Sequence, residues 1–398
     1  MRAPTVTPGR DYWEEILPEN PEAPLDDFDL FQNFLVATYR ERGLPVLRVF
    51  SFDTNSNAGR LAAPADIRFP DPAYSASGEI NRDFNTTTYR YSYQSLVRPA
   101  SVFSYDVATR ESTLLKQQEV PGGFDAANYD SARLWFAAGD GTQVPVSLVY
   151  RKNRFAHDGK SPLYVYGYGS YGYPLPLGFS TSRLALLDRG IVVAYAHIRG
   201  GGELGDPWHD AGKMMLKRNT FTDFIKAVEF LTREKYGDPA RVAIEGGSAG
   251  GLLMGAVTNM RPDLFRVVLS HVPFVDVMNT MLDATLPLTV AEYEEWGNPN
   301  QPAAFNYMLS YSPYDNLEGL RNQPIPSMLV KTSLNDSQVM YWEPAKYVAK
   351  LRTIKSDSTP LLLHINMDAG HGGASGRYDY LKETAFDYAF LFRELGLT

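Results

Sequence analysis

The sequence predicts an α/β fold with a doubly wound, mostly parallel sheet, preceded by an all-β region. Two observations support this prediction. Up to residue 142 the sequence is rich in short β-type runs separated by turn residues, whereas residues 143–398 alternate apolar strand-like runs with longer helical patterns. Such alternation of β and α segments is typical of an open parallel sheet with helices on both faces. We therefore expect two domains, 1–142 and 143–398.

An internal repeat characterises the first region. The runs 49–54 (Val-Phe-Ser-Phe-Asp-Thr) and 102–107 (Val-Phe-Ser-Tyr-Asp-Val) are nearly identical and alternate in period two, and the first leads into a turn at 55–57. Each run follows another strand candidate, at 34–39 and 87–93. A period near 50 residues with several strands per repeat is typical of β-propeller blades, and the alternative is a chance similarity between two antiparallel hairpins.

The length of this region predicts only part of a propeller. It would form about two to three blades, whereas closed propellers have about four to eight. We therefore expect a partial all-β propeller before the α/β domain.

The second region shows the alternation of strands and helices. A hairpin predicted from the runs 134–138 and 144–150, with an Asp-Gly turn signal between them, leads into it. The apolar runs of strand length are 163–168, 191–196, 242–245, 267–270, 328–331 and 361–365. Helical patterns are found at 220–235, 250–259, 342–355 and 377–395.

Composition and charge exclude several classes of function. The 398 residues include no Cys, which excludes disulfides, thiolate metal sites and cysteine nucleophiles. The formal net charge of −8 disfavours a general nucleic-acid binder. No spacing of His, Asp and Glu is typical of a metal site, so we expect neither a metal nor a cofactor.

The sequence also gives no sign of a membrane location. No run approaches the roughly 18 apolar residues that span a bilayer. Residues 1–24 lack the apolar stretch of a secretory signal. A cytoplasmic location is therefore expected, and the oligomeric state is left open.

The clearest signal for chemistry is the Gly-x-Ser-x-Gly pattern at 246–250, with Ser248 at its centre. The run 242–245 predicts a strand and the residues from Leu252 onward predict a helix, so Ser248 falls on the turn between them. In a nucleophile elbow, this strained turn lifts the serine hydroxyl clear of the sheet. The amide of Ala249 would then point at a developing oxyanion. Glycine-rich turns of this kind also bind phosphate, so the motif alone leaves both interpretations open.

A hydrolase built on such an elbow needs an acid and then a histidine after the serine. His371 lies in a glycine-rich loop just past the last predicted strand, where a general base must lie to reach Ser248. The other histidines that follow the serine, His271 and His364, lie at the end of a predicted strand and inside one. We interpret them as structural.

Two aspartates compete for the role of the acid. Asp336 closely follows the predicted strand at 328–331, as a triad acid should. Asp368 lies three residues before His371 and is better explained as a residue that shapes the loop. The sequence therefore predicts a triad of Ser248, His371 and Asp336.

Further motifs carry a resemblance to a known family. They are the runs 246–251 (Gly-Gly-Ser-Ala-Gly-Gly), 259–265 (Asn-Met-Arg-Pro-Asp-Leu-Phe), 197–205 (His-Ile-Arg-Gly-Gly-Gly-Glu-Leu-Gly) and 166–172 (Tyr-Gly-Tyr-Gly-Ser-Tyr-Gly). Together they resemble the prolyl oligopeptidase family of serine peptidases. The run 292–299 (Glu-Tyr-Glu-Glu-Trp-Gly-Asn-Pro) is similar to the signature of its oligopeptidase B branch, whose members cleave short peptides after Arg or Lys.

The resemblance implies an α/β-hydrolase domain capped by a complete β-propeller that admits only short peptides. It also implies the triad of Ser248, Asp336 and His371, which acts through an acyl-enzyme. By the same resemblance, Tyr168 would donate its hydroxyl to the oxyanion hole opposite the Ala249 amide.

The resemblance further implies a pocket for a basic side chain, so the expected substrates are short basic peptides. Glu292 and Glu294 would hold the cation and Phe274 would line the pocket. Two desolvated carboxylates suit a guanidinium, which favours bidentate contacts. From the residues alone, the alternative is that Glu292, Glu294 and Glu295 form an ordinary solvated charged face.

The sequence departs from the family pattern in two ways. The stretch 173–178 lacks the pair of aspartates found there in oligopeptidase B sequences, so a preference for a second basic residue is not expected. The chain also begins inside the propeller, and open blade edges would expose unpaired backbone groups.

Two alternative functions stay open. A carboxylesterase or acylaminoacyl peptidase uses the same triad but has no need of a paired-acid pocket for a cation. A truncated, non-catalytic relative is the other alternative, and the presence of Ser248, Asp336 and His371 argues against it.

Overall fold

The computed structural model describes residues 1–52 and 61–397, and the chain forms two compact units. Unit 1 consists of Met1–Phe124, Pro176–Phe179 and Glu203–Gly205, and unit 2 of Asp125–Leu175, Ser180–Gly202 and Asp206–Thr398. The main division therefore falls between Phe124 and Asp125, whereas the sequence pattern placed it at 142–143. The boundary lies earlier than predicted because both strands of the hairpin predicted at 134–138 and 144–150 belong to the sheet of unit 2.

Unit 1 contains two four-stranded sheets, each antiparallel and each in sequence order. The first comprises β1 (Leu25–Leu30), β2 (Phe34–Glu41), β3 (Leu44–Ser51) and β4 (Ala65–Asp66). The second comprises β5 (Tyr74–Gly78), β6 (Thr88–Ser95), β7 (Ser101–Asp106) and β8 (Ser112–Gln117). Consecutive sheets of this kind are the blades of a propeller, as predicted.

The internal repeat marks equivalent strands of the two blades. Its copies coincide with β3 and β7, the third strand of each sheet, and the strand candidates before them coincide with β2 and β6. The repeat therefore reflects two blades and not a chance similarity. The turn predicted at 55–57 lies outside the described residues.

The core of unit 1 is aromatic. Alternation along β6 buries Tyr89, Tyr91 and Tyr93 on one face of the blade. The hydroxyl of Tyr89 donates a hydrogen bond to Asp29 (2.6 Å) and that of Tyr93 donates one to Asp71 (2.5 Å). Each buried ring thus keeps a partner for its polar end.

Unit 2 is built on an eight-stranded sheet with the order β16-β15-β14-β13-β11-β12-β10-β9. Its strands are β9 (Tyr129–Ala137), β10 (Gln143–Arg151), β11 (Leu163–Gly167), β12 (Val192–Ala196), β13 (Val242–Gly247), β14 (Val267–His271), β15 (Ser327–Ser333) and β16 (Leu361–Asn366). The pairs β9–β10 and β10–β12 are antiparallel and all other pairs are parallel. The predicted mostly parallel sheet is confirmed.

Helices follow most of the parallel strands. They are α1 (Leu184–Leu187), α2 (Asp206–Asp210), α3 (Arg218–Arg233), α4 (Ala249–Met260), α5 (Val277–Leu282), α6 (Tyr293–Trp296), α7 (Pro302–Leu309), α8 (Trp342–Ile354) and α9 (Arg377–Leu395). The four predicted helices correspond to α3, α4, α8 and α9. None of the helices in the described part of the chain combines the length and apolar character that crossing a bilayer requires.

The sheet brings the predicted catalytic residues to one edge. Strands β11, β13, β15 and β16 run parallel to one another, so their carboxyl ends lie at the same edge of the sheet. Tyr168, Ser248, Asp336 and His371 all lie in the segments that follow these ends. The carboxyl edge is where ligands bind in open α/β sheets.

Candidate active site

Ser248 lies on a sharp turn between β13 and α4. Its backbone has φ 58° and ψ −118°, a conformation that L-residues rarely adopt. The turn is held because the Ser248 amide donates to His271 O (2.8 Å) and its carbonyl accepts from the amide of Phe274 (3.1 Å). Serine is a favoured N-cap residue, yet this hydroxyl caps no amide of α4. It is therefore available for chemistry.

The glycines around the serine allow the helix to approach the sheet closely. A Cβ atom at Gly246 would lie 2.4 Å from Gly250 O, and one at Gly251 would lie 2.4 Å from Pro273 Cα. Both distances are well below van der Waals contact. The elbow therefore depends on glycine at these two positions.

Asp336 and His371 form an acid–base pair. The Asp336 side chain is fully buried, and its Oδ1 accepts hydrogen bonds from the amides of Gln338 (2.9 Å) and Val339 (3.0 Å). His371 Nδ1 lies 2.8 Å from Oδ2 and 3.0 Å from Oδ1 of the same carboxylate. Because the carboxylate accepts, Nδ1 must carry the hydrogen, and the lone pair is then on Nε2, where a general base needs it.

The competing acid, Asp368, does not join this pair. Its side chain is exposed, and its own amide donates to Asn366 Oδ1. Among the described residues, no hydrogen bond links the Ser248 hydroxyl to the His371 imidazole. Such bonds are often long before substrate binds. The structure thus brings the acid and the base together, and a hydrogen bond from Ser248 to the imidazole would have to form when substrate binds.

A cavity of about 270 Å³ opens beside Ser248. Its wall is mainly apolar and aromatic. The wall is formed by Tyr168, Tyr171, Ser248, Ala249, Phe274, Thr280, Met281, Leu286, Pro287, Leu288, Thr289, Glu292, Trp296, Gln338, Val339 and Met340. Of the residues predicted for the site, Tyr168, Ala249, Phe274 and Glu292 therefore lie together around the serine.

Glu292 is the charged group of this cavity. Its Oε2 accepts hydrogen bonds from the hydroxyl of Tyr171 (2.8 Å) and from Nε1 of Trp296 (2.7 Å). Burial raises the pKa of Glu292 although these two bonds oppose the shift. No described residue donates to its other oxygen, Oε1, so that oxygen can accept a hydrogen bond from a ligand.

Glu294, the second acid of the predicted pair, is not part of the cavity wall. Its side chain is exposed, whereas the following residue, Glu295, is buried. Glu295 accepts hydrogen bonds from the amide of Tyr171 (3.0 Å) and from His209 Nε2 (2.6 Å). From the sequence, Glu295 was considered only as part of a solvated charged face, although its spacing of three residues from Glu292 places both on one face of a helical turn.

Two donors are available near the serine for an oxyanion. The Ala249 amide belongs to the first residue of α4 and so lacks an acceptor within the helix. Burial, together with the nearby charge of Glu292, raises the pKa of Tyr168 to about 12. The Tyr168 hydroxyl therefore keeps its proton near neutral pH and can donate it in a hydrogen bond.

The remaining candidate residues have structural contacts. His271 Nε2 lies 3.6 Å from a Glu245 oxygen, and burial lowers the pKa of this histidine. The ring of His364 packs against Phe386, with 5.1 Å between centroids. Within residues 1–52 and 61–397, no group of three or more histidine and acidic side chains is arranged to hold a metal ion.

Comparison with family models identifies both regions of the chain. The model described as "Prolyl oligopeptidase family" matches residues 177–398. The model described as "Prolyl oligopeptidase, N-terminal beta-propeller domain" matches residues 1–118. The prediction of a partial propeller followed by an α/β-hydrolase domain is confirmed.

Individual relatives agree with this result. The chain is 46% identical over 398 residues to "Dipeptidyl aminopeptidase BI" of Pseudoxanthomonas mexicana (100% of this chain, 53% of the relative). It is 41% identical over 378 residues to "Protease 2" of Moraxella lacunata (95% of this chain, 53% of the relative). The chain therefore spans about half the length of these curated relatives.

Solved structures show the same likeness. Oligopeptidase B from Leishmania major superposes with a TM-score of 0.89 at 42% identity, over 99% of this chain and 55% of that one. Oligopeptidase B from Trypanosoma brucei, with covalently bound antipain in a closed form, gives a TM-score of 0.90 at 40% identity over the same shares. On its sequence, its fold and the geometry around Ser248, the chain belongs to the prolyl oligopeptidase family.

Proposed function

We propose that the chain carries the site of a serine endopeptidase that cleaves short peptides after Arg or Lys. One observation carries the proposal: in the described part of the chain, Glu292 is the only charged residue on the wall of the cavity beside Ser248. An apolar and aromatic pocket with a single carboxylate is complementary to an aliphatic side chain that ends in a cation. The likeness to oligopeptidase B supports the same substrate class.

The electrostatics of Glu292 favour a cationic ligand. Burial raises the pKa of this carboxyl, which means that its ionised form is less well solvated in the pocket than in water. A bound guanidinium or ammonium would supply the missing interaction at Oε1. A hydrogen bond to a charged group contributes about 1.5–3 kcal/mol. We therefore expect a preference for basic over neutral side chains of roughly 10- to 150-fold, at about 1.36 kcal/mol per factor of ten.

The proposed reaction follows the acyl-enzyme route. Ser248 Oγ attacks the scissile carbonyl carbon while His371 Nε2 takes the hydroxyl proton, and Asp336 holds the imidazole by its Nδ1 hydrogen. The tetrahedral oxyanion accepts hydrogen bonds from the Ala249 amide and the Tyr168 hydroxyl. His371 then gives its proton to the leaving amine as the C–N bond breaks. A water molecule, deprotonated by the same imidazole, hydrolyses the acyl-enzyme and frees Ser248.

The proposal is tested by hydrolysis of N-blocked p-nitroanilides of Arg, Lys, Pro and Phe. We expect turnover of the Arg and Lys substrates and its loss in Ser248→Ala. Glu292→Ala should lose the basic preference, whereas Glu294→Ala, which alters an exposed acid two residues away, should keep it. Equal losses in the two glutamate variants would contradict the pocket assignment.

The same experiment separates the other interpretations. Turnover of simple esters without turnover of Arg amides would favour a carboxylesterase. No turnover by a folded chain would favour a non-catalytic relative.

A dipeptidyl aminopeptidase is the second candidate, because a relative with that name is 46% identical over 398 residues. An enzyme of this kind binds the free α-ammonium group of its substrate, whereas an endopeptidase tolerates a blocked one. Glu292, as the one charged residue on the described cavity wall, would already be engaged by a basic side chain. The comparison of kcat/KM for one Arg dipeptide amide with a free and with an acetylated N-terminus decides between the two. A strong preference for the free amine would establish the aminopeptidase.

A further inference from the structure

The segment after β11 has an unusual backbone. In this 168–172 loop, Gly169 (φ 71°), Tyr171 (φ 58°) and Gly172 (φ 62°) all adopt positive φ. A positive φ at a residue with a large side chain is strained and persists only where the surroundings impose it. Because Tyr168 belongs to the same loop, the strain lies next to the proposed oxyanion donor.

A buried lysine holds the first half of this loop. The side chain of Lys217 is 1% exposed, and its Nζ donates hydrogen bonds to Gly169 O (2.7 Å) and to Ser170 Oγ (2.7 Å). Its Nζ also lies 4.9 Å from the centroid of the Trp296 ring. Lysine is almost never fully buried without a partner. Burial lowers the pKa of Lys217 to about 7, although Glu295 opposes the shift.

A buried glutamate holds the second half of the loop. Glu295 is 5% exposed, and it accepts hydrogen bonds from the amide of Tyr171 (3.0 Å) and from His209 Nε2 (2.6 Å). The same carboxylate lies 3.9 Å from Lys217 Nζ. The two buried side chains therefore lie close to each other, and both hold the same short stretch of backbone.

The restrained loop presents both functional tyrosines. Tyr168 lines the cavity beside the serine, and the Tyr171 hydroxyl donates to Glu292, the proposed acid for the basic side chain. A displacement of the loop would thus move the oxyanion donor and the support of Glu292 together.

We infer that Lys217 and Glu295 are positioning residues: their buried side chains together fix the 168–172 loop and thereby position both the oxyanion donor and the pocket for the basic side chain. The inference rests on the proposed function for the roles of Tyr168 and Glu292. Neither positioning residue contacts the reacting atoms. Each acts through the backbone between Tyr168 and Tyr171.

The first test measures the loop without turnover. Hydrogen exchange of residues 166–174 is followed by mass spectrometry in the parent chain, in Lys217→Met and in the matched control Lys226→Met. Lys226 lies on helix α3, whose N-cap residue is Lys217, but its side chain is 47% exposed and pairs with Glu229 on the surface of the helix. We expect the segment to exchange at least tenfold faster in Lys217→Met and to be unchanged in the control. Unchanged exchange in Lys217→Met would overturn the inference.

The second test is kinetic. A misplacement of about 1 Å at an active site can cost about 100-fold in rate, so Lys217→Met should lower kcat by about that factor for an Arg amide and for a neutral ester. The KM of the Arg amide should rise and that of the ester should not. In the double variant Lys217→Met/Tyr168→Phe, the fold-loss in kcat should be smaller than the product of the two single fold-losses, because the lysine acts through that tyrosine. Fully multiplicative losses would overturn the inference.

A milder variant covers the case in which Lys217→Met does not fold. Glu295→Gln keeps the volume of the side chain and an oxygen for the Tyr171 amide, and it removes the charge opposite Lys217. We expect about tenfold faster exchange over residues 166–174, and no change would overturn the inference. A parent chain without a preference for basic substrates would refute the proposed function, while faster exchange in these variants would still support the positioning role.

Discussion

The replacement Asp336→Asn tests the acid–base pair most directly. Asp336 Oδ1 accepts from the amides of Gln338 and Val339, and both carboxylate oxygens lie within 3.0 Å of His371 Nδ1. Asparagine has one acceptor oxygen, which the two backbone amides would retain, so its NH₂ group would face the imidazole. Nδ1 must then accept this hydrogen bond, and the ring proton moves to Nε2. The base would be blocked at the atom that has to take the proton from Ser248.

The size of the effect follows from that tautomer change. In a serine peptidase, replacing the triad aspartate by asparagine lowers kcat about 10⁴-fold with little change in geometry. This factor corresponds to about 5.5 kcal/mol of transition-state stabilisation. KM should stay within about twofold, because the Asp336 side chain is fully buried and does not reach the substrate. Stability should change little because the two backbone hydrogen bonds persist.

The assay compares initial rates on a blocked Arg p-nitroanilide for the parent, Asp336→Asn and Asp368→Asn. The last variant makes the same change at the exposed aspartate of the neighbouring loop, and its kcat should equal that of the parent. An Asp336→Asn variant that keeps more than about a tenth of the parent kcat would show that Asp336 does not orient the base. A comparable loss of kcat in Asp368→Asn would equally contradict this role for Asp336.

Three further predictions concern other parts of unit 2. Burial raises the pKa of Glu343 from 4.5 to about 7, so the ionised carboxyl destabilises the fold as pH rises through that window. From pH 4 to pH 8, the free energy of unfolding of the parent, measured in urea, should therefore fall by about 3 kcal/mol relative to that of Glu343→Gln. A difference between the two proteins that does not change with pH would contradict this. Gly251→Ala adds a Cβ 2.4 Å from Pro273 Cα and should lower the stability by about 1–3 kcal/mol. The Cβ of the control Gly319→Ala meets nothing within 4 Å, so this variant should be as stable as the parent. Equal denaturation midpoints for the two variants would contradict the clash. Tyr168→Phe should lower kcat about 10²- to 10³-fold at unchanged KM in the Arg amide assay, and an unaltered kcat would remove it from the oxyanion hole.

The catalytic edge of the sheet was accessible from the sequence because it depends on local patterns. A strand, a glycine-rich turn and a helix around Ser248 define the elbow, and each has a recognisable sequence pattern within about ten residues of the serine. Asp336 and His371 follow predicted parallel strands, so their meeting at one edge requires only that the strands be parallel. The sequence therefore predicted the pairing of the acid and the base without any knowledge of side-chain positions.

The pocket was harder to predict because it depends on helical phase and on long-range contacts. Glu292 and Glu295 share one face of the turn at α6, and Glu294 points away from it, a distinction that a cluster of three acids in sequence does not reveal. The partner of Glu295, Lys217, lies 78 positions earlier in the chain and shows no motif. The boundary between the units could not be predicted from the sequence either, since it depends on the pairing of β10 with β12.

The turn after β15 links the shape of the pocket to the orientation of the base, His371. Gln338 and Val339 line the cavity, and their amides are the two that hold the Asp336 carboxylate. A substrate side chain that presses on this wall therefore also bears on the acid that orients His371. An engineer who widens the pocket at 338–339 to change selectivity should expect slower turnover even on well-bound substrates. The part of the wall at 286–289 offers a safer place for redesign, because it lines the same cavity from another segment of the chain.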